Sequence, residues 1–358
     1  MSLQVLEPAS TSDDCTPDRI ASLANDLSAQ IKEAVLQIKK LTSQSRLLSF
    51  NAQIEAARSG KAGSTFSVVA LAMRDLSTAT EEIAKNVHDG TLGIATHLQS
   101  IGQALGSTVR GTRLGDLALT NIDLIDRNLY ERSCDCRWWA TDSSFVDALE
   151  RKTPEAIQFA SQRMGVILKA YTVYLDLVLA GPDGRVIANG RPNEYPSVGI
   201  NQSKATWFCS AMNTHDGDAF GFEPLSESVL ANTQRCLIYS AGVRSGGLSN
   251  GRVIGALGLV FNWDALAQTI VDNTPLAAGE KERTRVVICD EQGLILADTG
   301  RQQLRQSLDL TAIGAAFGAG QNYATVYLDG KEHIVGRARS PGFETYATGW
   351  WSYIIQRV

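Results

Sequence analysis

The sequence predicts an α plus α/β chain: an N-terminal antiparallel helical coiled-coil hairpin, then a long helix and two tandem antiparallel-sheet modules. Three observations carry this. Apolar residues step by threes and fours from Ile20 to Ala52; no proline lies between Pro17 and Pro154; and one strand-turn-strand pattern occurs twice, with turn glycines Gly184 and Gly293 at equivalent positions.

The elements follow in order. Residues 1–17 form a flexible N-terminus. The first ladder reads Ile20, Ala24, Leu27, Ile31, Ala34, Ile38, Leu41, Ser45, Leu48, Ala52, a heptad-like seam in which only Ser45 is polar. A second ladder, Val69, Met73, Leu76, Thr80, Ile83 and Val87, passes Gly90 and resumes one position out of step at Ile94, Leu98, Ile101 and Leu105. The hairpin covers 18–112 with its tip near 59–65, and each arm reaches roughly 60 Å at a rise of about 1.5 Å per residue. Two arms alone leave such a seam half covered, so a dimer forming a four-helix bundle is expected. Gly60 and Gly63 are expected to supply positive φ in the turn.

From about residue 113 the texture changes to aromatic and β-branched residues. Entry helices span 113–173, a first module 174–265 and a second 266–358. The repeated pattern is LVLAGPDGRVIAN (Leu177–Asn189) and VVICDEQGLILAD (Val286–Asp298), each two short strands around an acidic, glycine-ended turn. Further strands follow at Cys236–Val243 and Val253–Phe261, then at Ala324–Tyr327, His333–Arg339 and Trp350–Ile355, with helices at Pro154–Tyr171 and Trp263–Asp272.

Composition narrows the function classes. The chain has 358 residues, 44% of them hydrophobic, and a net charge of −5, which suits two or three folded domains and no nucleic-acid partner. No run of about eighteen apolar residues and no basic-then-apolar leader are present, so no membrane span and a cytoplasmic location are expected. Cys15, Cys134, Cys136, Cys209, Cys236 and Cys289 show neither zinc spacing nor a disulfide framework; Cys134 and Cys136 are the one close pair, read as free thiols or as a redox or attachment site. His88-Asp89-Gly90 and His215-Asp216-Gly217 lack the further ligands of a metal site, and no phosphate-binding or zinc-protease motif occurs. No enzyme, metal or cofactor is expected.

The stretch Leu47–Leu76 resembles the kinase-control hairpin of methyl-accepting chemotaxis proteins through Asn51, Ala52, Ile54, Glu55, Ala56, Ala57, Arg58, Gly60, Gly63, Phe66, Ser67, Val68, Val69, Ala70, Arg74 and Leu76. The resemblance implies a tip that contacts other dimers, a histidine kinase and its coupling adaptor through Asn51, Glu55, Arg58, Phe66, Val68 and Arg74. Phe50 either plugs the bundle or joins that surface. The chain departs from the pattern at Lys61, Thr65 and Ala72, where an acid, a glycine and an acid are usual. The arms are also shorter than those of full receptors.

The long helix through Arg127–Arg132, the two strand hairpins, Trp207-Phe208 and GRVIGALGLVFNW (Gly251–Trp263) resemble double Cache domains, the PAS-like sensor modules of many chemoreceptors. That resemblance implies a small-molecule ligand held in the first module, with Lys204, Trp207, Phe208, Tyr239 and Arg244 as its candidate contacts. Ala205 stands where the amino-acid-binding version carries arginine, which disfavours an amino-acid ligand. Trp138 and Trp139 are read as core, and Gly111 and Gly115 as a flexible joint or a place of close helix packing. Together the resemblances imply a chemoreceptor-like sensory transducer acting on a kinase and adaptor. The rival reading is a dimerising scaffold that has lost kinase control.

Overall fold

The structure, a computed structural model, describes residues 17–358. Apart from Pro17, the N-terminal segment expected to be flexible lies outside the described residues, as does Cys15. The chain divides into two compact units, one ending at Arg110 and one running from Gly111 to Val358.

The first unit holds α1 (Pro17–Arg58), a 3-10 turn at Gly60–Gly63 and the start of α2 (Ser64–Trp139). Ser49 Oγ donates to the Ala70 carbonyl at 2.5 Å, Ser77 Oγ to Ser45 Oγ at 3.0 Å, and Arg46 pairs with Glu81 at 3.3 Å. Later residues of α1 thus meet earlier residues of α2, which makes the two stretches antiparallel. Small side chains fill the contact. Val35, Thr42, Ser49, Ala56, Gly63, Ala70, Ser77 and Ala84 follow one another at a heptad spacing, and all are buried. The expected seam lies one stripe away: Leu27, Leu41 and Leu48 are 39%, 64% and 63% exposed. Backbones approach closest where side chains are smallest, so the small stripe takes the interior and the leucines are displaced to the flanks. Gly60 has the expected positive φ of 57°, but Gly63 does not; a Cβ there would sit 2.1 Å from the Ala56 carbonyl oxygen, so Gly63 serves close approach instead.

In the second unit the rest of α2, from Gly111, is the spine. Leu114, Ala118, Ile122, Ile125 and Leu129 recur at steps of three or four and are fully buried. Two capped helices follow. Asp142 accepts from the Ser144 N–H at the start of α3 (Ser143–Arg151), which ends on left-handed Lys152. Thr153 caps α4 (Pro154–Ala170), with Pro154 in the first turn, where a missing N–H costs nothing.

Two sheets of identical topology complete the unit. The first contains β1 (Tyr174–Ala180), β2 (Val186–Asn189), β3 (Gly221–Glu227), β4 (Arg235–Arg244) and β5 (Val253–Asn262), in the order β2-β1-β5-β4-β3, with α5 (Thr206–Met212) between β2 and β3. After β5 come α6 (Thr269–Asp272) and α7 (Ala278–Lys281). The second sheet then contains β6 (Thr284–Cys289), β7 (Ile295–Asp298), β8 (Tyr323–Leu328), β9 (Lys331–Arg339) and β10 (Trp351–Arg357), ordered β7-β6-β10-β9-β8, with α8 (Leu310–Gly314) between β7 and β8. All pairings are antiparallel. Val178 opposes Asn189, and at the matching points of the second copy Val287 opposes Asp298. The turn glycines Gly184 and Gly293 have φ of 79° and 89°. Strand β3 has no counterpart among the expected strands, because Pro224 interrupts it. An edge strand tolerates that proline, and the pairing with β4 shifts register between Glu223 and Ser226.

One face of each sheet packs on α2. The shared core joins Leu177, Leu257 and Phe261 of the first sheet with Val286, Ile288 and Ile354 of the second. The fit requires glycine: a Cβ on Gly111 would lie 2.1 Å from the Tyr323 ring, and one on Gly336 would lie 2.3 Å from the Leu114 backbone. A Cβ on Gly115 would likewise fall 2.5 Å from the Asn322 amide nitrogen. Gly111 and Gly115 are therefore places of close helix-to-sheet contact, the second of the two expected roles, though against a strand edge and not a helix.

Candidate functional site

Each module places a polar pair at the same point of its first two strands. In the first, buried Asp176 of β1 accepts from Asn189 Nδ2 at 2.6 Å and from the N–H groups of Leu177, Gly190 and Arg191 at 2.8, 3.0 and 3.0 Å. Burial pushes its carboxyl up to about 6, with those four donors pulling the other way. In the second module the matching positions hold Arg285 of β6 and Asp298 of β7, with Nη2 to Oδ2 at 2.6 Å. Burial opposes ionisation of Asp298, but the guanidinium and the Gly300 and Gln302 N–H groups prevail and hold it below the usual carboxylate range.

The sheet faces turned away from α2 differ sharply. In the first module that face is filled: Trp207 and Phe208 of α5 pack with Val178, Ile238, Ala256 and Val260. Trp207 is fully buried, its indole N–H donates to Gln202 Oε1 at 3.1 Å, and its carbonyl accepts from Ser240 Oγ at 2.8 Å. In the second module the corresponding face has an apolar floor that includes Val287, Ile313, Val335 and Ile355, and it opens into a cavity of about 900 Å³. Arg283, Arg285, His333 and Arg357 are among its lining residues.

The five expected ligand contacts do not share one cavity. Lys204 is exposed, and Trp207 and Phe208 belong to the packed core beneath α5. Tyr239 points to the other face of the sheet, into the core shared with α2, with its hydroxyl 2.5 Å from that of Tyr346. Period-two alternation separates it from the α5 side, which carries Ile238. Arg244 lies at the far end of β4, 6% exposed, where its guanidinium donates to the carbonyls of Gly251, Thr214 and Asp216. It lines a separate cavity of about 310 Å³ with Cys134, Arg137, Trp138 and Asp218. Trp139 is core as expected. Trp138 is 69% exposed, because the helical step of about 100° turns it away from the sheet.

Cys134, Cys136, Cys209, Cys236 and Cys289 are free thiols. Burial raises Cys236 and Cys289 to about 12 and Cys136 further, which keeps these three protonated and unreactive. Cys134 is half-buried and accepts from Arg137 Nη2 at 3.4 Å. Among the described residues no group of three His, Cys, Asp or Glu side chains could hold a metal ion, and no helix is long and apolar enough to cross a membrane.

In the first unit Asn51, Glu55, Arg58, Phe66, Val68 and Arg74 are all exposed, with Phe66 at 71% and Val68 at 67%. Arg58 pairs with Glu55 at 3.7 Å and Arg74 with Asp75 at 3.3 Å. Phe66, Glu55, Ser59 and Gly63 line a cavity of about 380 Å³ beside the turn.

Comparison with known proteins agrees with this architecture. Residues 18–357 match the Cache domain family model. The structure resembles the ligand-binding domain of the Campylobacter jejuni chemoreceptor Tlp3, solved with 4-methylisoleucine, at a TM-score of 0.53 and 16% identity, covering 70% of this chain and 92% of that one. It resembles the V. cholerae histidine kinase DctB sensor domain at a TM-score of 0.52 and 14% identity, covering 72% and 98%. Shorter sequence matches reach the methyl-accepting chemotaxis protein McpQ of Pseudomonas putida, 39% identical over 83 residues, and the biofilm dispersion protein BdlA of Pseudomonas aeruginosa, 39% over 74 residues. These cover 21% of this chain in each case, and the chain spans only 13% and 18% of those relatives.

The matches correct the cytoplasmic location expected from the sequence. Cache domains of chemoreceptors and of sensor kinases such as DctB typically face the periplasm or the exterior, so the lack of an apolar spanning helix supplies no cytoplasmic address. With the match extending from residue 18 to residue 357, and two sheets packed on a common helix as in chemoreceptor ligand-binding domains, the chain belongs to the Cache domain family.

Proposed function

We propose that the chain is a sensory transducer: a small molecule bound by the Cache unit changes how the helical unit engages a histidine kinase and its coupling adaptor. The observation that carries this reading is the exposed tip. Phe66 and Val68 stand in solvent next to the turn, on a hairpin that also exposes Asn51, Glu55, Arg58 and Arg74, and Phe66 shares a cavity with Glu55, an apolar anchor beside a polar group that suits a docking surface. The small-residue seam supports the dimer in the same way. With Val35, Ser49, Ala70 and Ala84 closing the hairpin on itself, the leucines beside them remain for a second copy, and pairing them would complete a four-helix bundle.

Ligand and tip are linked by population shift: a ligand that prefers one arrangement of the Cache unit biases it by its differential affinity. α2 is the covalent route, since its residues before Gly111 belong to the helical unit and those after to the Cache unit. A ligand entering the first module beside Lys204 must lift α5, because Trp207 and Phe208 occupy that face. Arg244 and Tyr239 would then respond through the sheet and not by contact from that side.

The test is co-sedimentation of the purified full chain with chemotaxis kinase and coupling adaptor, with autophosphorylation measured in parallel. Wild type should associate and alter phosphate incorporation, and Phe66→Ala should lose most of the association. No association of the wild-type chain would overturn this reading and leave the dimerising scaffold, which the departures at Lys61 and Ala72 favour.

A further inference from the structure

The second module's open cup carries a row of basic side chains that form no ion pair among the described residues. Arg357 opposes His333 in the β10–β9 pairing, and its N–H donates to the Arg283 carbonyl at 2.9 Å across the β10–β6 side. Directly opposed residues of antiparallel strands share a face, and neighbouring strands lie about 4.8 Å apart, so Arg283, Arg357 and His333 stand side by side over roughly 10 Å. All three line the 900 Å³ cavity. Among the described residues none of the three side chains has an ion-pair partner, and the Arg283 Nε is buried with no hydrogen bond at all. Like charges side by side on neighbouring strands, here Arg283 and Arg357, are unfavourable in a sheet.

Two of the acids nearby are committed, and two line the cavity unpaired. Asp298 is paired with Arg285 in the adjacent register. Asp309 caps α8, accepting from the Thr311 and Ala312 N–H groups at 3.1 and 2.9 Å. Glu282 and Asp329 line the cavity without pairing to the row, and Lys281 adds a further cation. His333 Nδ1 is held by the Lys331 carbonyl at 3.0 Å, which makes it the donor and leaves Nε2 as its remaining polar atom. Two guanidinium forks above an apolar floor match a compact molecule bearing several anionic oxygens.

We propose that this second-module cup is a binding site for a small multivalent anion, a polycarboxylate or a phosphate, with Arg283 and Arg357 as its contacts and His333 lining the cup beside them. A single carboxylate satisfies one fork; a second carboxylate, or a phosphate with its several oxygens, can engage both. The proposal names the ligand class and the module for the sensory reading above, on which it rests for its consequence. Binding is measured without kinase or adaptor, so its failure and a failure of kinase control are separate results.

The experiment is calorimetric titration of the full chain with citrate and, separately, inorganic phosphate, in dilute buffer and with matched sodium chloride as a control. Saturable one-to-one binding of at least one probe is expected, and the stronger of the two identifies carboxylate or phosphate chemistry. Arg283→Gln/Arg357→Gln should weaken it at least about tenfold, whereas Lys169→Gln, an exposed cation on α4, should not change it. Arg283→Lys/Arg357→Lys keeps charge but loses the fork, and should bind more weakly than wild type. If the Gln variant melts well below wild type without ligand, the Lys variant decides by the same criterion. Absence of binding by both probes, or unchanged affinity in the deciding variant, overturns the proposal.

Discussion

Tyr239 and Tyr346 meet hydroxyl to hydroxyl at 2.5 Å, joining β4 of the first sheet to the β9–β10 loop of the second. Phe220 packs against both rings, with centroids at 6.1 and 6.3 Å. Burial raises Tyr346 to about 12 and pushes Tyr239 well above its usual value, so the pair stays neutral and each hydroxyl depends on the other. Tyr239→Phe or Tyr346→Phe alone should cost about 1–2 kcal/mol by stranding a buried hydroxyl, and the double variant less than the sum. Urea unfolding of the three variants measures this; strict additivity would show that the two hydroxyls act independently.

Asp126 of α2 anchors the same loop. Its carboxylate accepts from Ser340 Oγ at 2.6 Å, the Gly342 N–H at 2.8 Å, and Thr348 Oγ1 and N–H at 2.7 and 3.2 Å. Asp126→Ala leaves those donors without their acceptor and should cost on the order of 3 kcal/mol. Hydrogen exchange should quicken first in the β9–β10 loop, and equal protection there in variant and wild type would refute the anchoring role.

Asp176 makes stability depend on pH in an unusual direction for a carboxylate. Its folded value, about 6, lies above the ordinary 3.8, so the native state binds the proton more tightly. Its contribution is most favourable below about pH 4 and declines as pH rises through 6. Asp298, Asp142 and Glu280 are shifted downward and contribute oppositely, stabilising above their unfolded values and losing that as pH falls. Asp176→Asn should therefore be less stable overall, by about 1–3 kcal/mol through lost acceptor capacity, yet fall less steeply between pH 4 and 6 than wild type. Melting temperatures across that range give the comparison, and parallel curves would rule out the shift.

Adjacent residues Leu48 and Ser49 separate the two faces of α1. Ser49 is fully buried and bonded to Ala70, so Ser49→Leu should overpack the hairpin and cost about 1–3 kcal/mol. Leu48 is exposed, and Leu48→Ala should leave the folded hairpin within about 0.5 kcal/mol while weakening the proposed self-association. Sedimentation velocity with matched thermal melts distinguishes them. A Leu48→Ala chain that associates as wild type does would remove that face from the dimer.

Much of the architecture is legible in the chain because it is written in local periodicity. The two strand-turn-strand copies and their glycine turns are short-range patterns, and their strands pair as such patterns require. The helical seam, by contrast, falls one stripe from the leucine ladder that marks it in the sequence. The repeating small residues from Val35 to Ala84 are an equally regular signal, and close backbone approach gives them the interior.

The sequence by itself determined the succession of long helices and the repeated strand-turn-strand unit, because each rests on neighbours in the chain. Only the tertiary structure decided which sheet face is filled. Trp207 and Phe208 have the look of ligand contacts until α5 folds them onto Val178 and Val260, while Arg283, Arg357 and His333, drawn from distant points of the chain, become one row by strand pairing. Side-chain packing and cross-strand register are long-range outcomes, and no local pattern in the chain encodes them.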